Sequence, residues 1–503
     1  MMDAMAPDGA SAEAVWAADF ASATLMWLTS VSTVMLTYLA FSKDTEIKMH
    51  IWSVMEVVFS VAIAVSVSST GTTVIKIFLQ PKDQGISYLA LAHALLWTGL
   101  AAALALLVVR VTGTVIDDLP KRLVFTKAYA GVTSRICGIC WIDFWSRVQV
   151  GPCGGAHPMN VAFVPFLALI CSLLQMCMAR LLRNFVNRLR QARESDEEEQ
   201  EWELLTKQNE VDSAGLCVSY LLAQLCRYYV GGTCPTPGGV ERMEEYQIHG
   251  GVKFYRSRHQ IIGLFSLAVL AKVLATGVEA RRTPNVSEPL ASWLLVPLKK
   301  TLASSLHKFT GWLALFTLGW SVQRMHFINA INAEESVMYR HLTAALCTTV
   351  GFFSLVVLRA LPLHKVVKKG VVQSLATMEG FAWRRSYGHS MDFFAKAMGP
   401  TLGLDGAGGG DRGAFFLRIL LSLSMVLVTL PALVGVVTPQ KMLAETANEP
   451  SGRLARISRR RSQLRAGAAG VLELASIMRP AISVTGGDAE SELPVARKAS
   501  PRG

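Results

Sequence analysis

Long apolar runs separated by short polar stretches dominate this chain, and the length of the runs decides how they are read. About 20 apolar residues, rising 1.5 Å each, span the ~30 Å hydrocarbon core of a bilayer. By that measure transmembrane helices are expected near 20–41, 51–78, 86–110, 126–148 and 160–182, and a second set near 260–278, 303–325, 338–360, 371–397 and 415–437. Between the sets, 214–231 (AGLCVSYLLAQLCRYYVG) is shorter and carries Gln224 and Arg227. It reads either as an eleventh span or as an interfacial helix. The expected fold class is therefore all-α, a polytopic transmembrane helix bundle of about 10–11 spans.

The two sets of five resemble one another. GVTSRICGICWIDFWSR from Gly131 aligns with GFAWRRSYGHSMDFFAK from Gly380. Gly131 meets Gly380, Arg135 meets Arg384, Asp143-Phe144 meets Asp392-Phe393, and Arg147 meets Lys396. One helix earlier, His93 faces His341 and Val108-Val109 faces Val356-Val357, with a one-residue slip. Two repeated five-helix units, 20–182 and 260–437, are expected. An acidic segment 1–19, a charged linker 183–259 and a basic tail 438–503 complete the domain plan. Repeats of this kind place transporter sites near the midplane where the units meet.

Composition agrees. Charged residues are 17% of the chain and hydrophobic ones 51%, against about a quarter charged in soluble domains. Asp3, Asp8, Glu13 and Asp19 precede the first run without a Lys or Arg, the reverse of a secretory leader, so no cleaved signal peptide is expected. The net charge of +12 is read as the basic excess of cytoplasmic loops and not as a nucleic-acid surface. Lys43, Lys48, Lys121, Arg122 and the series from Arg180 to Arg193 favour an outer N-terminus and a cytoplasmic C-terminus.

Charge inside lipid costs roughly 2.5–3.5 kcal/mol on insertion scales, so each such residue needs a partner or water. His93 and Asp143 share a level and are able to pair, with His341 and Asp392 as counterparts. Arg135 and Arg384 each lie eight residues, about 12 Å, from the Asp of their own helix and must find partners elsewhere. His93, Arg135, Asp143, His341, Arg384, His389 and Asp392 are thus the candidate lining of a polar path. Arg385, His389 and Glu379 have no counterpart in the first unit. Glu56 and Lys308 rank lower, because they lie nearer the inner boundary where snorkelling suffices.

Cys137 and Cys140 form a CxxC inside an apolar run and read as helix-packing residues. Cys153 and Cys234, in Gly/Pro-rich outer loops, are candidates for a disulfide. In the tail, Arg459-Arg460-Arg461 precede Ser462, a candidate phosphorylation site, and an Arg-rich helix there could lie on anionic lipid. No nucleotide cradle, HExxH, metal-ligand spacing, voltage-sensor series or selectivity filter is found, so neither cofactor nor metal is expected and catalysis is not indicated. An intramembrane enzyme using His and Asp ranks last for want of any catalytic spacing, and two functions lead. The chain is a transporter or channel for a small ion or polar solute, or a non-transporting scaffold or receptor whose buried charges only tie helices together.

Overall fold

In the computed structural model the described residues are 12–79, 86–115, 119–150, 158–190, 196–232, 256–280, 289–324, 337–401 and 411–448. All lie in a first compact unit, Met1–Asn448; the second, Glu449–Gly503, falls outside them. Cys153, Cys234 and Ser462 also lie outside the described residues.

Every regular element described is helical. In chain order they are α1 (Ala12–Ala40), α2 (Thr45–Leu79), α3 (Ile86–Val115), α4 (Leu119–Val150), α5 (Pro158–Arg190) and α6 (Asp196–Gly231). There follow α7 (Arg258–Ala280), α8 (Pro289–Gln323), α9 (Val337–Ala360), α10 (Lys365–Thr401) and α11 (Asp411–Ala432). A π turn, Leu433–Val437, joins α11 to α12 (Thr438–Asn448). Among the described residues, seven helical stretches are long and apolar enough to cross a membrane, in α1, α2, α3, α5, α7, α9 and from α11 into α12. The chain is a multi-pass integral membrane protein.

The ends obey local chemistry. Asp44 Oδ1 accepts from the Glu46 and Ile47 amides and starts α2. Ser257 and Gln260 form a reciprocal capping box ahead of α7. Pro158 and Pro289 occupy first helical positions, where a missing N–H costs nothing. Gly232, at φ 76°, closes α6 with its amide on the Tyr228 carbonyl. The acidic stretch from Asp196 is continuous with 214–231 in one 36-residue helix.

Helices α2, α4, α6, α8 and α10 form a closed ring, each packed on the next and α10 returning to α2. They are parallel. Along α6 and α8 the meeting points run Asp212 with Lys308, Tyr220 with Trp312, then Arg227 with Phe316. Along α8 and α10 they run His307 with Ser374, Trp312 with Phe381, then Phe316 with Arg385. The odd-numbered helices pack outside and run back. On α3 and α4, Trp97 meets Cys137 but Ala101 meets the earlier Tyr129.

Sequence chemistry explains this division. The outer helices expose Phe163, Phe166 and Ile170 on α5, or Ile262, Phe265 and Val269 on α7, as lipid-facing surfaces require. Described residues of α2 expose no large hydrophobic side chain. Apart from α2, the ring helices are less apolar along their length because they carry buried polar groups.

Close approach within the ring depends on small residues, as in other membrane bundles. A Cβ on Gly311 of α8 would strike the Ser374 carbonyl of α10 and lie 2.9 Å from Thr377 Cβ. On Gly380 it would meet only Val57 and Val61 methyls, at 3.4 Å. Gly311→Ala is therefore expected to cost about 1–3 kcal/mol and Gly380→Ala much less, read by denaturant titration in micelles. Equal losses would mean that the α8–α10 backbone contact is not limiting.

Candidate functional site

The ring holds charge at two levels with an aromatic layer between them. At the first level Lys441 of α12 pairs with Glu56 of α2. Lys308 of α8 donates to both the carbonyl and the carboxylate of Asp212 on α6, at 2.9 and 3.1 Å. Arg135 of α4 stands in the field of both carboxylates and donates to the Gly131 carbonyl, at 2.6 Å. The π turn after Pro431 carries the chain on to bring Lys441 to Glu56.

The aromatic layer is built by α6, α8 and α10. Trp312 lies 4.9 Å from Tyr220 and 4.2 Å from Phe381, ring to ring, and stacks on Phe316 at 6.0 Å. It is 2% exposed, and its indole N–H has no hydrogen-bond partner among the described residues. Leu313, Leu315 and Ile139 belong to the same buried apolar cluster as these rings.

At the second level arginines gather on these rings. Arg227 and Arg385 both lie over Phe316, at 4.1 and 4.8 Å, and Arg384 lies 5.5 Å from the Phe381 centroid. Arg227 donates to Gln224, which donates to Tyr220. Arg384 stands in the field of the Asp143 carboxylate of α4, which is not a ring neighbour of α10. Its charge therefore acts across the ring.

The candidate path residues are dispersed in their bonding. Asp143 pairs with Arg147 one turn on, at 3.0 Å, and not with His93. His93 accepts from the Trp97 indole at 2.8 Å and lies 3.4 Å from the Thr72 hydroxyl, while feeling Asp143 only through space. His341 is edge-on to Trp383 at 6.5 Å, and His389 is half-buried. Asp392 falls in α10, with its side chain outside the described residues. Glu379 is buried, and its Oε1 has no hydrogen-bond partner among them. Cys137 and Cys140 are free and buried.

Arg227, noted in the sequence only as a polar residue of 214–231, proves to belong to the second charged level. Asp212, Trp312 and Lys441 are part of these layers but are not singled out by the sequence. Nor are Lys272, His307 and Glu279, which bond to one another between α7 and α8. A spacing signal existed for two of them, since Lys272 and Glu279 stand seven residues apart on one face of a span. Among the described residues no group of three or more His, Cys, Asp or Glu could hold a metal ion. No protein-family model, no curated protein and no solved structure matches the chain.

Proposed function

We propose that this protein is a secondary transporter or channel for a small ion or polar solute, with its path along the axis of the five-helix ring. The observation that carries the reading is Arg384, whose charge acts across the ring directly beside an aromatic layer. Three arginines on one side of that layer favour an anion or an anionic group. Trp312 and Phe381 act as the closed gate between the two charged levels. The duplication supports the same reading, since α4 and α10, carrying the matched Arg and Asp positions, both flank α2. The C-terminus is assigned to the cytoplasmic side.

The scaffold reading draws on the pairing of Glu56, Asp143 and Lys308 with oppositely charged neighbours. Hydration separates the two. Ser134 and Ser386 are buried beside Arg135 and Arg385. In a background lacking the native cysteines, Ser134→Cys and Ser386→Cys are expected to react with a membrane-impermeant methanethiosulfonate as the path opens. With the reagent given to both faces of opened membranes, if neither reacts while a Lys43→Cys control does, the ring is dry and the chain is a scaffold.

A further inference from the structure

A second polar cluster lies behind the ring, where α7, α8 and α10 meet. Lys272 Nζ of α7 donates to His307 Nδ1 of α8 at 3.1 Å. That leaves the ring hydrogen on Nε2, which donates to Glu279 Oε2 of α7 at 2.9 Å. Ser374 of α10 lies 3.4 Å from Lys272 Nζ and donates to the His307 carbonyl at 2.8 Å. The next residue, Lys308, faces the other way and holds Asp212 in the ring.

Three features set this cluster apart from a tie between helices. It is graded in depth: the Glu279 side chain is 30% exposed and that of His307 only 3%, and Lys272 lies seven residues, about 10 Å, back along α7 from the helix end that carries Glu279. All three side chains exchange protons, and imidazole passes them between its two nitrogens. Space for them is built in. A Cβ on Gly370 of α10 would strike the His307 ring and lie 2.8 Å from both Nδ1 and Lys272 Nζ.

We propose that Glu279, His307 and Lys272 form a proton-uptake site, with the proton as the coupling ion of the transport reading on which this inference rests. In the observed arrangement Lys272 is the ammonium and Nε2 holds the ring hydrogen. Release moves a proton from Nζ to Nδ1 and the Nε2 proton to Glu279 Oε2. That leaves a neutral amine, an imidazole with its hydrogen on Nδ1 and a carboxyl that loses its proton to water. Uptake is the reverse: a proton arriving on Glu279 passes from Oε2 to the bare Nε2, giving an imidazolium. The Nδ1 proton then moves to the Lys272 amine, which restores the starting arrangement. No electrons move. The charged groups acting on His307 are Lys272 and Glu279 from α7 and Lys369 from α10. From the other neighbours, α6 gives Asp212 to Lys308, α5 sets Met176 against Thr301, and α9 sets Tyr339 against Gly319.

The test is ¹⁵N-histidine spectroscopy of the full chain in lipid, with His307→Gln identifying the signal. The His307 resonance of the unmodified protein is expected to move as pH passes from 5 to 9. Lys272→Met and Glu279→Gln are expected to displace that transition in opposite directions by about one pH unit. A His307 resonance fixed across the range overturns the proposal on the unmodified protein alone, so it stays testable even where a variant fails to fold. A transition that both substitutions leave in place overturns it equally. Failure here with Ser134→Cys and Ser386→Cys still reactive removes the proton site and leaves transport standing; unreactive cysteines remove transport and say nothing against a moving resonance.

Discussion

Trp312→Ala is expected to open a leak through the ring and to destabilise the protein in the same step. Emptying a fully packed aromatic site costs roughly 3–5 kcal/mol. Trp312 touches Tyr220, Phe316 and Phe381, so no single neighbour can fill the space. In proteoliposomes loaded with a halide-sensitive dye, iodide entry is expected to rise at least about tenfold, the scale of a barrier lowered by 1.4 kcal/mol. Trp312→Phe is the informative companion. The indole N–H makes no hydrogen bond among the described residues, so phenylalanine keeps the barrier and most of the stability. Lost stability with no leak would show that the aromatic layer is core packing and nothing more.

Glu56→Met should produce the largest loss of stability from a single charge. It leaves Lys441 without this carboxylate and removes one of the two negative charges acting on Arg135. Breaking a fully buried pair from one side typically costs about 3–5 kcal/mol, and replacing both partners with apolar residues is often neutral. With the Lys441 side chain 22% exposed, the loss here is expected toward the lower end of that range. The double change Glu56→Met with Lys441→Met is therefore expected to recover most of the loss in denaturant titrations. A double variant no better than the sum of the single ones would mean that the two charges are not coupled.

Much of this architecture was legible in the sequence. Run lengths gave a helical membrane bundle, because crossing lipid leaves the backbone few alternatives. The buried charges at Arg135, Arg384 and Glu56 stood out against their apolar surroundings. Partner identity did not, for a physical reason in each case. Asp212 sits in what reads as a charged linker, and only the continuity of α6 carries it into the bundle. Lys441 lies beyond the last apolar run and reaches Glu56 only because the helix continues through a π turn. Trp312 resembles any other apolar residue until its neighbours are known. The His93–Asp143 pairing gave way to Arg147, which lies one helical turn from Asp143 and needs no second helix to reach it.

The parallel course of the five ring helices also has an electrical consequence. Each helix carries a macrodipole, positive at its N-terminus, and five aligned side by side reinforce one another along a shared axis. The antiparallel outer helices offset part of this field, but they stand further from that axis. An anion approaching from the end where α2, α6 and α10 begin is drawn inward. At the opposite end the carbonyls of α6 present negative charge, and there Arg256 donates to Gly231 and Arg227 lies one turn away. Under the proposed transport reading, these two guanidinium groups would keep that end from repelling the same anion.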